Sequence, residues 1–133
     1  MLDPNANILI VDDMKMVRKS IIRYLETLGY RRVVEAENGL EAVNAFKSQQ
    51  IDCIFMDLVM PVMSGMDALK KIRAQDKMVP IIMVSSIADQ DAIDECNKYG
   101  IVGYIVKPLN HTNGPTRIKE ILDKADSFVP ANA

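Results

Sequence analysis

A small set of acidic, hydroxyl and lysine residues follows successive apolar runs of the chain. Asp12 and Asp13 come after one run, Asp57 after another, Ser85 after a third and Lys107 after a fourth. Three carboxylates held close together repel one another and raise one another's pKa values. A bound cation offsets this repulsion and keeps them ionised. Oxygen ligands at a water-accessible place suit Mg²⁺, which accepts one or two carboxylates and keeps several waters. The acids therefore indicate a magnesium site.

The same residues suit phosphoryl chemistry. Lys107 supplies a positive charge and Ser85 a hydroxyl donor for the oxygens of a phosphoryl group. No serine, cysteine or histidine lies beside an evident base, so the nucleophile that remains is a carboxylate. Asp57 is the best placed of the three to form an acyl phosphate.

Each residue also has a simpler explanation. Asp12 and Asp13 could be favourable charges at a helix N-terminus, worth about 0.3–1 kcal/mol each. Asp57 could be an ordinary acid at a strand end, and Lys107 a solvated loop lysine. The pair Ser85-Ser86 could cap a helix. Their joint placement at strand ends is what favours the chemical interpretation.

Five short apolar runs alternate with five segments of helical periodicity. Several runs are apolar throughout, which is typical of strands buried on both faces of a parallel sheet. They occupy residues 8–11, 33–34, 53–56, 81–84 and 101–106. Between and after them, apolar residues recur at three- and four-residue steps over 17–28, 40–46, 69–72, 92–96 and 118–125.

This alternation predicts one α/β domain of the doubly wound (βα)5 type, with helices on both faces of a parallel sheet. In such a sheet the carboxyl ends of the strands gather along one edge, where ligands bind. The acids, the serine and the lysine are therefore expected to converge on one site.

Composition limits the function further. The chain of 133 residues has room for one domain, and a formal charge of −2 offers no field that attracts nucleic acid or anionic lipid. No apolar run approaches the roughly 18 residues that cross a bilayer, and the N-terminus lacks a secretory signal pattern. We predict a cytoplasmic protein without membrane insertion, with Cys53 and Cys96 reduced.

Four sequence blocks resemble those of response-regulator receiver domains of the CheY type. They are ILIVDD at 8–13, MDLVMPVMSG at 56–65, VPIIMVSS at 79–86 and GYIVKP at 103–108. They follow the family's order and spacing, which is far more specific than any one motif. The resemblance covers about residues 7–124 and implies a flavodoxin-like sheet with strand order 2-1-3-4-5.

The resemblance assigns roles to the acids. It implies that Asp57 accepts a phosphoryl group from the phosphohistidine of a histidine kinase or a phosphotransfer protein. Asp13 and Asp57, with the backbone carbonyl of Val59, would bind Mg²⁺, and Asp12 would help through a metal-bound water.

It also implies a conformational switch. Ser85 and Tyr104 match the family's switch pair, in which the hydroxyl moves toward the phosphate and the aromatic ring turns inward. Lys107 would pair with the phosphate. The alternative for Tyr104 is an ordinary core tyrosine, and both can hold for a ring that is buried in one state only.

Two departures from the family pattern stand out. In this family the positions two residues after Asp57 and two residues after Ser85 tune the access of water to the acyl phosphate. Here they hold Val59 and Ile87, both apolar, which predicts slow loss of the phosphate. The stretch 110–114 before the last helix is longer than usual, and its His111 is expected to be a solvated loop residue.

As a receiver, the chain is expected to act through other proteins and not as a turnover enzyme. We expect residues 1–126 to form the receiver domain and 127–133 a short tail, with no output domain. The partner would dock on the fourth helix, fifth strand and fifth helix, at about 89–99, 101–106 and 115–126. A monomer or a weak dimer formed on phosphorylation is expected, and chemotaxis is one compatible pathway among several.

Two other function classes remain open at this stage. One is an aspartate-nucleophile phosphohydrolase of the haloacid-dehalogenase type, which also forms an acyl phosphate. Those enzymes carry a second acid two residues after the nucleophile, where this sequence has Val59, and no cap insertion is present. The other is a protein-binding scaffold that is never phosphorylated.

Overall fold

Five strands and five helices alternate along the chain in the computed structural model, which describes residues 2–130. The strands are β1 Ile8–Val11, β2 Val33–Ala36, β3 Cys53–Met56, β4 Ile81–Ser85 and β5 Gly103–Val106. The helices are α1 Lys15–Thr27, α2 Gly39–Ser48, α3 Gly65–Gln75, α4 Gln90–Lys98 and α5 Gly114–Asp126. The predicted (βα)5 architecture is confirmed.

The strands form one parallel sheet in the order β2-β1-β3-β4-β5. This is the flavodoxin-like order that the family resemblance implied. β1 pairs with β2 on one side and with β3 on the other, and β4 joins β3 to β5. The three inner strands are buried throughout, whereas the edge strands β2 and β5 are partly exposed.

The core has two layers because successive side chains of a strand point to opposite faces of the sheet. On β1, Leu9 and Val11 pack in the layer that contains buried residues of α2, α3 and α4. Ile8 and Ile10 pack in the other layer, against α1 and α5. Burial of each large aliphatic side chain stabilises the fold by about 1.5–3 kcal/mol.

The strand ends differ from the sequence prediction. β2 extends to Ala36 because its pairing with β1 continues through Glu35, a charged residue that an apolar pattern does not include. β5 begins only at Gly103, where it enters the ladder with β4. Ile101 is buried but lies before the strand. An apolar run reports burial, while the strand is defined by its hydrogen-bonded partner.

Cys53 and Cys96 are both free and buried, as predicted. They belong to opposite layers of the core. Burial raises the pKa of the Cys53 thiol to about 12, which keeps it protonated. Over residues 2–130, no helix combines the length and apolar character needed to span a membrane.

The end of the described chain packs against α3 and the end of α4. The guanidinium of Arg73 lies 5.9 Å from the ring centre of Phe128. Pro130 is buried next to Gly100. The predicted tail thus begins as a segment in contact with the domain, while its residues 131–133 lie outside the described part.

Candidate functional site

The carboxyl ends of neighbouring strands bring three acids together. Asp12 follows β1 and Asp57 follows β3, and these two strands pair directly. Oxygen atoms of Asp12, Asp13 and Asp57 lie within 4.8 Å of one another. The topology therefore joins residues that are far apart in the chain.

Lys107 reaches the same cluster from the end of β5. Its ammonium donates to Oδ2 of Asp12 at 2.7 Å and to Oδ2 of Asp57 at 3.2 Å. Burial by itself would lower the pKa of Lys107, but the bond to Asp12 and the charge of Asp57 outweigh burial and raise it. The lysine therefore remains a fixed positive charge between two carboxylates.

The second oxygens of the two buried acids are held by the backbone. Oδ1 of Asp12 accepts a hydrogen bond from the N–H of Met14 at 2.9 Å. Oδ1 of Asp57 accepts one from the N–H of Leu58 at 2.7 Å. Asp13 differs because it is exposed, and within residues 2–130 no hydrogen bond to its carboxylate is seen. It is the acid that faces solvent.

This donor set fits a magnesium ion. The ligands are all oxygen atoms, and Mg²⁺ favours carboxylates combined with retained water. The exposure of Asp13 leaves the cluster open to water on one side. Val59, whose carbonyl the family resemblance adds as a ligand, lies in the loop after β3 and is 65% exposed.

The start of α3 abuts the strand end that carries Asp57. The N–H of Gly65 donates to the carbonyl of Leu58 at 2.8 Å. A β-carbon on Gly65 would overlap the backbone carbonyl of Asp57. Ser64 caps the helix by accepting from the N–H of Asp67. Only glycine permits this approach, which closes the loop behind the acid.

Ser85 is the last residue of β4 and is fully buried. Its Oγ accepts a hydrogen bond from the N–H of Ile87 at 3.2 Å. The helix-cap alternative is wrong for this serine, because α4 begins at Gln90 with Asp89 in the cap position. The strand hydrogen bonds extend through Ser85, so it belongs to the sheet and not to the helix.

Tyr104 on β5 contacts the same short segment. Its hydroxyl donates to the carbonyl of Ile87 at 2.5 Å. The ring is partly buried against the core layer of α2, α3 and α4. Burial raises the pKa of Tyr104, while the nearby hydroxyl of Ser85 acts in the opposite direction. Ser85 and Tyr104 therefore both bond to the backbone of Ile87.

Five methionines lie near the acidic cluster in the predicted fold, and filling gaps in the core is the default expectation for Met14, Met16, Met60, Met63 and Met66. The structure divides them into two groups. Met60, Met63 and Met66 are partly buried against the core, as gap-filling predicts. Met14 and Met16 are exposed, and core packing is wrong for them. They line an apolar cleft of about 310 Å³ whose other residues include Lys107 and Leu109.

The long stretch before α5 folds into a compact turn. Oδ1 of Asn110 accepts from the N–H groups of Thr112 and Asn113. His111 is exposed at its tip, as predicted. Gly114 starts the helix against the ring of Tyr24, where a β-carbon would not fit.

One residue near the site was missed in the sequence. Arg18 is buried on α1 together with Ile21 and Leu25. It donates to the backbone carbonyl of Asp12 at 2.8 Å and to Glu35 at 3.0 Å. The available signal was an arginine three and seven residues before the buried Ile21 and Leu25, on the same helix face, since a charge on that face requires partners.

Comparison with known proteins finds a matching family and similar proteins. A model of the family described as "Response regulator receiver domain" matches residues 8–119. Chemotaxis protein CheY-3 of Vibrio cholerae is 38% identical over 125 residues, which cover 92% of this chain and 93% of that protein. Chemotaxis protein CheY of Thermotoga maritima is 38% identical over 117 residues, with coverage of 88% and 94%.

Solved structures agree in fold. A chain in the crystal structure of the CheX-CheY-BeF3-Mg+2 complex from Borrelia burgdorferi superposes with a TM-score of 0.81 at 30% identity, covering 88% of this chain and 89% of that one. The chemotaxis protein CheY4 of Vibrio cholerae gives a TM-score of 0.80 at 31% identity, covering 91% and 98%.

Proposed function

The chain belongs to the response regulator receiver domain family, and from this membership we propose that it is a phosphoacceptor whose Asp57 carries the signal. The observation that supports the proposal most directly is the arrangement around Asp57. Asp12 and Asp13 lie next to it, and the ammonium of Lys107 is 3.2 Å from its Oδ2.

In the proposed transfer an Asp57 carboxylate oxygen attacks the phosphorus of a phosphohistidine on a histidine kinase or a phosphotransfer protein. A P–O bond forms as the P–N bond breaks, and the imidazole nitrogen leaves with the electron pair of the broken bond. Lys107 then moves its hydrogen bonding from the free carboxylate toward a phosphoryl oxygen. A charge-assisted bond of this kind stabilises the added negative charge.

The acids that surround Asp57 would hold Mg²⁺. We assign Asp13 and Asp57 as direct ligands together with the carbonyl of Val59, and Asp12 as a partner through water. When bound, the ion supplies positive charge that offsets the repulsion between carboxylates and phosphate. Asp13 is suited to the first contact with a cation because its carboxylate is exposed and not held by Lys107.

We propose Ser85 and Tyr104 as the switch, with Ile87 as the point where they act. The N–H of Ile87 bonds to Ser85 and its carbonyl bonds to Tyr104. If the serine hydroxyl turns to a phosphoryl oxygen, the N–H of Ile87 loses its acceptor. The segment between β4 and α4 is then free to move, and Tyr104 moves with it. This changes the surface formed by α4, β5 and α5, which we propose as the docking surface for a downstream protein.

The pathway we propose is chemotaxis signalling in the cytoplasm, because the relatives described above are chemotaxis proteins. As in other receivers, the protein would act as a regulator and not as a turnover enzyme. It would work as a monomer or as a weak dimer formed on phosphorylation.

The phosphohydrolase alternative is disfavoured by the loop after Asp57. A haloacid-dehalogenase enzyme needs a second acid two residues after its nucleophile, and Val59 offers only an apolar side chain there. The scaffold alternative is disfavoured by the part-buried Asp57–Lys107 pair, since removing charges from water costs free energy and a purely structural surface does not require it.

The test is labelling with acetyl phosphate and Mg²⁺, followed by intact mass measurement and peptide mapping. We expect one phosphoryl group on Asp57 in the wild-type protein and none in Asp57→Asn. No labelling of the wild-type protein contradicts the proposal and supports the scaffold. Steady release of phosphate from small phosphate esters supports the hydrolase instead.

Partner choice is tested by affinity capture with the protein treated with beryllofluoride and Mg²⁺, a mimic of the phosphorylated state, against untreated protein. A partner retained only by the treated wild-type protein, and not by treated Asp57→Asn, fits the proposal. Identical capture by the two states contradicts a phosphorylation switch.

A further inference from the structure

Arg18 is a buried cation on α1, next to the acidic cluster. It is only 6% exposed. A buried charge is costly unless it is paired and hydrogen-bonded. Its Nε donates to Glu35 of β2 at 3.0 Å, and a second nitrogen lies 3.6 Å from Glu37. These ion pairs fix the guanidinium in one orientation.

The remaining contact of Arg18 acts on the acidic loop. One terminal nitrogen, NH1, donates at 2.8 Å to the carbonyl of Asp12, which is the carbonyl of the peptide joining Asp12 to Asp13. The peptide on the other side of Asp13 is held as well, because the N–H of Met14 donates to Asp12 at 2.9 Å. Both peptide groups that flank Asp13 are therefore restrained.

We propose that Arg18 is a positioning residue for the Asp13 carboxylate and thereby sets the affinity of the site for divalent cations. The inference rests on the proposed function, since it takes the acidic cluster to be a magnesium site. Asp13 is exposed, and no hydrogen bond or ion pair from another residue in 2–130 holds its carboxylate, so its direction depends on the backbone. The planar guanidinium donates to both Glu35 and the carbonyl of Asp12 in a fixed geometry. A lysine ammonium rotates freely and could not hold both partners with the same rigidity.

A purely electrostatic role and a positioning role of Arg18 predict opposite changes in cation affinity when the arginine is removed. If the arginine acted only as a nearby positive charge, its loss would strengthen cation binding, because less repulsion would act on the incoming ion. If it positions Asp13, its loss weakens binding. The sign of the change in affinity therefore identifies the role.

The experiment is a calorimetric titration of the unphosphorylated protein with Mg²⁺. We expect Arg18→Gln to weaken binding by about tenfold or more, the range usual for residues that orient metal ligands. The matched control is Lys19→Gln. Lys19 also pairs with Glu35, at 3.2 Å, and carries the same charge on the same helix, but it has no bond to the acidic loop. Its removal should leave affinity unchanged or slightly raised.

Urea unfolding of each variant without metal comes first. If Arg18→Gln does not fold, the Mg²⁺ titration is made with Arg18→Lys instead, because this variant keeps the charge and loses the planar geometry. We expect it to bind Mg²⁺ more weakly than the wild-type protein. A folded Arg18 variant that binds as tightly as the wild-type protein, or more tightly, overturns the inference while leaving the proposed function intact. Absence of Mg²⁺ binding by the wild-type protein overturns both.

Discussion

The ammonium of Lys107 lies 3.2 Å from a carboxylate oxygen of Asp57, although 50 positions separate the two residues in the chain. The lysine also holds Asp12, so one cation links the ends of three strands. It neutralises part of the negative charge that the cluster concentrates. Its removal should therefore affect both the stability of the protein and its response to metal.

Lys107→Met is expected to lower the free energy of unfolding by about 2 kcal/mol in the absence of divalent cations, because it leaves the buried carboxylates of Asp12 and Asp57 without their hydrogen-bond partner. Saturating Mg²⁺ should raise the melting temperature of this variant more than that of the wild-type protein. Urea and thermal unfolding measure both effects. Lys119→Met removes an exposed ion pair on α5 and should change stability by no more than about 0.5 kcal/mol. Equal stability of Lys107→Met and the wild-type protein without metal would contradict the expectation.

Gly65→Ala is expected to destabilise the protein by about 3 kcal/mol or more, since its β-carbon would overlap the carbonyl of Asp57. Gly29→Ala provides the comparison. Gly29 has a positive φ of 96° but open space around a β-carbon, so only backbone strain of about 1–2 kcal/mol is expected there. Urea unfolding should rank the two variants in that order, and the reverse order would show that steric overlap at Gly65 is easily relieved.

Val62→Asn is expected to stabilise the protein by about 1 kcal/mol. Val62 has a φ of 69° and is the one non-glycine residue with positive φ among residues 2–130. Asparagine tolerates this region far better than a β-branched residue. The residue is 77% exposed, so little packing is lost. Val59→Asn, an exposed change in the same loop without the unusual φ, should leave the urea midpoint nearly unchanged. A loss of stability in Val62→Asn would show that the valine makes a compensating contact.

The double variant Val59→Asn with Ile87→Glu is expected to lose its acyl phosphate faster than the wild-type protein, because polar side chains can orient the attacking water. The decay is followed by intact mass after removal of acetyl phosphate. Val62→Asn adds an asparagine elsewhere in the same loop and should leave the rate unchanged. An unchanged or slower decay in the double variant would mean that these positions do not control water access here.

Glu35→Gln is expected to be less stable than the wild-type protein at neutral pH and equally stable in strong acid. Burial would raise the pKa of Glu35, but hydrogen bonds from Arg18 and Lys19 outweigh it and lower the pKa below its ordinary value. A carboxyl with a lowered folded-state pKa adds stability above the unfolded value, and that stability is lost as the pH falls through the folded value. About a third of the side chain is exposed, so the contribution should stay below about 1 kcal/mol.

Urea unfolding across the acid range measures this difference. Glu120→Gln, which removes an exposed carboxylate of α5, is the control for net charge. A deficit of Glu35→Gln that persists unchanged in strong acid would assign it to lost packing and not to ionisation.

Most of the architecture could be predicted because it depends on local pattern. Buried runs such as that of β3 indicate inner strands, and the alternation with helices indicates a doubly wound parallel sheet. The strand ends could not be predicted as well. Glu35 belongs to β2 because of its pairing with β1, and pairing is a property of two segments.

The sequence by itself determined which chemical groups the site contains, since Asp12, Asp57 and Lys107 each follow a recognisable strand. Only the tertiary structure decided how these groups are held. The bond of Lys107 to Asp12, the meeting of Ser85 and Tyr104 at Ile87 and the place of Arg18 beside Asp12 all join separate elements. The physical reason is that hydrogen bonds and charge interactions act over a few ångströms in space, whereas residue type and periodicity report only on neighbours along the chain.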